Sequence, residues 1–249
     1  MKQAKLFKLI TNIFKKHGLS TKHSVICSKA ILNAELVGAP SHGVSRIASY
    51  CNRIKNKVIN AKPNIKIKKI SSSVTHIDAD NAVGFIGADL AINKAIQNAQ
   101  RTGIGFVAVK NSGHYGLSGY YAEQAVKKNL IALCFTNAPP AIAPFGSRKA
   151  LFGTNPICFG APTSSRVPFI FDASMSIINR GKIRLAAKTK TKIPKGTALD
   201  KKGQPTTNAL KALKGVQLPI AGFRGSGLAW MVDILSGVLT GSDHSGKVK

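Results

Sequence analysis

The chain has 249 residues, 44% of them hydrophobic, which is enough to bury a core and too apolar for a disordered polymer. Lysine and arginine number 37 against 9 acidic residues, a formal net charge of +28, and such a balance invites a nucleic-acid or anionic-membrane function. The basic residues are spread along the chain, however. The densest groups, Lys66 to Lys69 and Lys188 to Lys195, lack interleaved aromatics, and no helix-turn-helix, zinc-finger or RNA-recognition signature is present. The charge therefore reads mainly as a solvated surface that also draws anions at low salt. A basic nucleic-acid-binding protein stays open as a rival.

In chain order, Leu6, Leu9, Ile10, Ile13 and Phe14 recur at helical spacing between lysines and predict an amphipathic helix rather than a secretory signal. A second helix starts near Ser20-Thr21 and runs toward Val37, where Gly38-Ala39-Pro40 stops it. Residues 41 to 46, SHGVSR, lead into a third. Asn60 to Asn64 is a connector, and Ile65 to Ile70 and Val74 to Ile77 read as strands joined by Ser71 to Ser73. Leu90 to Gln100 is helical and Ile104 to Val109 a strand. The strand enters a loop that holds His114 between Gly113 and Gly116, and a helix over Tyr120 to Lys128 follows. A titratable ring before a helix start, among glycines that permit close approach, is a common way to build a reactive site.

Further along, Leu130 to Phe135 and Phe169 to Phe171 are strand-like, and Gly181 to Ala187 is helical. Residues 193 to 208 have turn chemistry. Gly222-Phe223-Arg224-Gly225 precedes a last helix, and Gly227 to Gly241, too short to cross a bilayer, reads as buried. Cys27, Cys51, Cys134 and Cys158 form no CxxC pair, so core thiols in a reducing cytosol are expected, with a disulfide or a zinc site as the lesser readings. No metal site is expected. Gly103-Ile104-Gly105 with Ala108 fits a dinucleotide fingerprint, but it follows a helix and enters a strand, the reverse of the required order, so a Rossmann site is rejected there. The alternation of elements gives an α/β protein.

Seven motifs in order carry a resemblance: SHGVSR with Tyr50, the HYG loop at His114, NAPPAIAPFG from Asn137, GTNP from Gly153, DASMS from Asp172 followed by RGK, IPKGTALD with GQPTTN, and GFRGSGL from Gly222. Together they resemble the malate/L-lactate dehydrogenase family of NAD(P)-dependent oxidoreductases, which is unrelated to the Rossmann-type malate and lactate dehydrogenases. The resemblance implies a three-layer α/β fold with a mixed, non-Rossmann sheet. It divides the chain into a helical segment, 1–60, carrying SHGVSR, and an α/β cofactor- and substrate-binding region, 61–249. It also implies a cytoplasmic homodimer without specific nucleic-acid or membrane partners, and hydride transfer between NAD or NADP and a small 2-hydroxy or 2-oxo carboxylic acid.

By the same resemblance, His114 and His42 are the active-site histidines, one of them protonating the carbonyl oxygen, with His114 favoured. Arg46, four residues after His42, is the carboxylate clamp, since a guanidinium matches a carboxylate in two hydrogen bonds. Tyr50 either donates to substrate or packs in the core. Ala138, Asp172, Ala173, Ser174 and Arg224 are the cofactor residues, while Thr154 and Asn155 either join them or shape their loop. Departures are Ala221 where the family usually has glycine, Arg224 where lysine is commoner, and an expected C-terminal tail beyond Ser242. The last of these keeps a second rival open: a truncated remnant with impaired catalysis.

Overall fold

A computed structural model describes residues 2–248 of the chain. They form two compact units, the first comprising the chain up to Cys134 with Cys158–Phe171, the second Phe135–Ile157 with the chain from Asp172 onward. The fold is α/β with a mixed sheet and a helical N-terminal segment, as expected from the sequence.

In the first unit, α1 (Gln3–Lys16) buries Ile10 and Phe14 and packs Leu6 and Ile13 beside them. Leu9 is 48% exposed, because it falls outside the stripe that a 3.6-residue period brings round to the core. The second helix, α2 (Thr21–Leu36), is capped by Ser20, whose hydroxyl accepts from the His23 amide at 3.2 Å. It ends at Val37, followed by Gly38 at φ +73°, a left-handed position that glycine takes without a Cβ penalty. Two single 3₁₀ turns, Pro40–His42 and Val44–Arg46, then lead into α3 (Ile47–Lys55).

The mixed sheet runs in order β1 (Lys66–Lys69), β2 (Val74–Ala82), β3 (Phe106–Ser112), with β1 antiparallel and β3 parallel to β2. The edge strand β1 carries Lys66, Lys68 and Lys69, all exposed. Repelling charges on a bare edge discourage pairing with another chain, which gives this lysine cluster a structural reason. The crossover helix α4 (Gly84–Thr102) starts six residues before the expected Leu90. Its first turn, Gly84 to Gly87, is buried, so packing overrides the weak helix propensity of glycine. Gly103 caps its C-terminus at φ +82°, and a Cβ on Gly105 would lie 2.0 Å from the Ala95 carbonyl oxygen. The glycines of the rejected dinucleotide pattern are thus a helix cap and a close approach. After β3 come α5 (Ser118–Val126) and a second sheet of order β4 (Ala132–Phe135), β5 (Ile157–Ala161), β6 (Phe169–Ala173). Ala122 and Ala125 of α5 pack with Ala132, Cys158 and Ile96.

In the second unit, α6 (Arg180–Lys188) is capped by Asn179, which accepts from the Lys182 amide at 2.8 Å. The two-residue strands β7 (Ala198–Leu199) and β8 (Val216–Gln217) flank α7 (Ala209–Leu213). The last helix, α8 (Phe223–Asp233), runs into a π-helical turn, Ile234–Val238. This segment is buried on one face only: Ala229, Val232 and Asp233 face inward, while Trp230 and Ile234 are 45% and 50% exposed. Among the described residues, no helix is long and apolar enough to cross a membrane, no group of three His, Cys, Asp or Glu could hold a metal, and the four cysteines are free thiols.

Candidate active site

The first unit gathers His42, Arg46, Tyr50 and His114 into one cluster. The SHGVSR turn is held from below by Glu35 at the end of α2, whose Oε1 accepts from the Val44 amide at 2.6 Å. Gly43 leaves the necessary room, since a Cβ there would lie 2.1 Å from that same oxygen. The Ser45 hydroxyl donates to the Pro40 carbonyl at 2.5 Å, closing the double turn. His42 then projects with its Nδ1 3.0 Å from Ser41 Oγ.

His114 reaches the same place from the loop after β3. The loop lies against the N-terminus of α4 so closely that a Cβ on Gly84 would be 2.0 Å from the Gly113 carbonyl oxygen. Gly116, at φ +82°, fits over Phe85. The His114 ring stacks on His42 with centroids 5.6 Å apart and planes 20° apart. Its Nδ1 lies 2.6 Å from the Tyr50 hydroxyl and accepts from the Gly116 amide at 3.3 Å. Tyr50 is itself 2% exposed, edge-on to Phe85 at 5.1 Å.

Electrostatics sharpen the cluster. The outer edge of His114 is open to solvent, while desolvation of its inner side, with the positive charges of Arg46, His42 and Arg53, pulls its pKa well below the usual histidine range. The ring is neutral at physiological pH. Burial pushes the Tyr50 phenol up, opposed by the charge and hydrogen bond of Arg46. The Arg46 Nε is buried without a hydrogen-bond partner among the described residues. An unpaired guanidinium N–H inside a protein is costly unless a ligand satisfies it, and a carboxylate is its natural complement.

The second unit treats its expected residues differently. Asn155 is fully buried: its Oδ1 accepts from the Ala138 amide at 3.2 Å and its Nδ2 donates to the Ala229 carbonyl at 2.9 Å. Its side chain thus ties the Asn137-Ala138 turn to α8. A Cβ on Gly153 would lie 2.2 Å from the Ala138 carbonyl oxygen, so the turn rests directly on that glycine. The Thr154 carbonyl accepts from the Met175 amide at 2.8 Å. Ser174 Oγ lies 3.1 Å from Ser176 Oγ, just beyond Asp172 and Ala173 at the end of β6. Arg224, exposed, lies over the Phe223 ring at 5.0 Å. It stands in the first turn of α8, whose cap residue Gly222 supplies no side-chain bond. A guanidinium in the first turn of a helix, at the positive end of its dipole, suits a phosphate.

Two supports escaped the sequence. One is Glu35, readable in retrospect as one of only 9 acids sitting just before a glycine-rich turn. The other is Asp233, which accepts from Asn137 at 3.4 Å and from the Ser245 amide at 3.1 Å. No local pattern joins residues so far apart in the chain.

At the end of the mixed sheet stand a neutral histidine and an arginine whose Nε has no partner among the described residues. The chain belongs to the malate/L-lactate dehydrogenase family, whose sequence pattern matches residues 1–249. It is 40% identical over 242 residues to the L-sulfolactate dehydrogenase of Methanocaldococcus jannaschii, covering 97% of this chain and 70% of the relative. The structure of the M. jannaschii sulfolactate dehydrogenase superposes with a TM-score of 0.93, covering 100% of this chain and 72% of the other. The delta1-piperideine-2-carboxylate reductase of Pseudomonas syringae pvar. tomato gives 0.96 at 30% identity, covering 100% and 75%. The malate/(S)-sulfolactate dehydrogenase of Methanothermus fervidus is 38% identical over 241 residues, covering 97% and 71%.

Proposed function

We propose that the chain interconverts a small 2-hydroxy carboxylic acid and its 2-oxo acid with a nicotinamide cofactor. The observation that carries this reading is the buried, unpartnered Nε of Arg46 beside a histidine kept neutral. The first offers a fork to a carboxylate, and the second exchanges a proton at the adjacent oxygen. Relatives support the class: each name above denotes a dehydrogenase or reductase of a carboxylate-bearing compound. Names of two further relatives carry NADP(+) and NAD(+) respectively, so the cofactor stays at the level of a nicotinamide dinucleotide.

The residues of the second unit fit such a group. Gly153 lets the Ala138 turn lie flat, Arg224 and the α8 start favour phosphate, and Asp172 to Ser174 offer a carboxylate and a hydroxyl to ribose. When bound, the dinucleotide supplies the hydride chemistry. Arg46 holds the substrate carboxylate, His114 moves the proton at the substrate oxygen, and His42, stacked on His114, fixes its plane. Purified chain mixed with NADH or NADPH and a panel of 2-oxo acids should consume the reduced nicotinamide, and His114→Ala should abolish the consumption. Folded wild-type protein that consumes none with any 2-oxo acid would refute the reading.

A further inference from the structure

We propose that Tyr50 is a proton-relay residue that acts through His114, handing its phenolic proton to Nδ1 as Nε2–H gives its own to the substrate oxygen. The inference rests on the dehydrogenase reading and deepens the same site.

An amide N–H cannot accept, so the Gly116 amide, 3.3 Å from Nδ1, requires a lone pair on that nitrogen. The neutral ring therefore carries its proton on Nε2. A nitrogen without a proton can only accept, which leaves the neighbouring phenol as the donor. The Tyr50 hydroxyl therefore directs its single proton along the 2.6 Å contact to Nδ1. A directed pair of bonds results: Tyr50 donates to Nδ1 of His114, and the Gly116 amide closes on the same nitrogen.

This pair has a chemical consequence. A neutral imidazole that loses its Nε2 proton becomes an imidazolate, a poor outcome in a site whose cations already favour the neutral ring only over the charged acid. Transfer from Tyr50 removes the difficulty. With reduced nicotinamide as hydride donor, the carbonyl carbon gains the hydride and the carbonyl π pair moves to oxygen. The Nε2–H bond breaks as the O–H bond forms, and the Tyr50 O–H bond breaks as Nδ1–H forms. The ring ends neutral, its proton moved from Nε2 to Nδ1. The phenolate stays beside the Arg46 cation until water reprotonates it, and oxidation runs the same steps in reverse. Burial keeps the resting phenol protonated, as a proton donor requires. The charged and titratable groups around His114 are Arg46 and Arg53 from the second 3₁₀ turn and α3, His42 from the first 3₁₀ turn, and Tyr50 itself.

Tyr50→Phe tests this in the full chain, because Phe keeps the contacts with Phe14 and Phe85 and removes only the hydroxyl. The single-turnover rate of 2-oxo acid reduction should fall roughly 10- to 100-fold while substrate binding stays within about twofold. In mixtures of light and heavy water the wild-type rate should bend as expected for two protons in flight, and the variant's should be linear. Nitrogen-15 NMR of the resting wild-type chain should show Nδ1 of His114 unprotonated. A protonated Nδ1 there, a linear wild-type response, or a Tyr50→Phe rate equal to wild type overturns the relay alone. A wild-type chain that consumes no reduced nicotinamide overturns the dehydrogenase reading with it, and the NMR result separates the two failures, since it needs no turnover.

Discussion

In the first unit the groups offered to a ligand are side chains: the rings of His42 and His114, the Tyr50 hydroxyl and an Arg46 Nε with nothing bound to it. In the second unit most polar side chains near the expected site are already engaged. Asn155 bonds at both ends, Asp233 holds Asn137 and Ser245, and Gln217 Nε2 donates to Ser176 Oγ at 3.4 Å. What remains outward there is the Arg224 guanidinium, in the first turn of α8. On the proposed function the contrast matches the chemistry each unit would carry. Proton transfer needs groups whose pKa can be tuned, and these must be side chains. A large anionic dinucleotide needs many fixed dipoles, which rigid backbone supplies at little entropic cost.

The contrast predicts that equivalent truncations fail in different ways. His114→Ala should lower kcat by roughly 10²–10⁴ with the thermal midpoint nearly unchanged, because the residue is solvent-open and its ring supports little packing. Asn155→Ala should do the reverse. It strands a partly buried amide on Ala138 and a buried carbonyl on Ala229, and costs about 2–4 kcal/mol of stability. Its loss should appear first in the denaturant midpoint and only then in the apparent affinity for the dinucleotide. If Asn155→Ala left stability intact and cut turnover alone, the division between the two units would collapse.

How much of this was legible beforehand depended on distance along the chain. Helix α1, the Ser20 cap, the Gly38 stop and β3 followed from local period and capping chemistry, and so did the placement of His114 in a glycine loop. The α4 start did not, because Gly84 and Gly87 are poor helix formers and are retained there for close packing that only the fold reveals. Leu9, 48% exposed, lies at the edge of the α1 stripe, where a period alone cannot separate core from rim. The pairing of Tyr50 with His114 spans 64 positions and that of Asn137 with Asp233 spans 96. Motifs brought the residues of the first pair into one list, but neither hydrogen bond is encoded locally. Asn155 shows the same limit: the sequence left it between cofactor contact and loop scaffold, and its two buried bonds favour the scaffold.

A smaller effect sharpens the electrostatic half of the comparison. Because the folded-state pKa of His114 lies below its ordinary value of 6.5, the unfolded chain binds more protons than the folded one as pH falls through that range. Stability contributed by the neutral ring is therefore complete above about pH 6.5 and declines below it. Between pH 7 and pH 4.5 the denaturant midpoint of wild type should therefore fall relative to that of His114→Gln. His23 is shifted the same way by burial, but it is present in both chains and cancels. Asp78 and Asp200 are lowered from 3.8, so their loss begins at more acidic pH. Parallel curves would mean that neither desolvation nor the neighbouring cations lower the His114 pKa in the folded chain.

The smallest prediction concerns Ala221, where two backbone terms oppose each other. Its φ is +46°, and Gly222 follows at +59°. Holding an L-residue left-handed costs roughly 1–2 kcal/mol, which glycine avoids. Glycine in turn loses more conformational freedom on folding, about 0.5–1 kcal/mol relative to alanine. The steric term is the larger, so Ala221→Gly should stabilise the chain by about 0.5–1 kcal/mol, read as a rise in the denaturant midpoint at constant slope. The substitution also relaxes the turn that sets the first residues of α8, where Arg224 stands. If that turn positions a phosphate site, the dinucleotide affinity should move with the stability, whereas a stability gain with unchanged affinity would confine the strain to the fold.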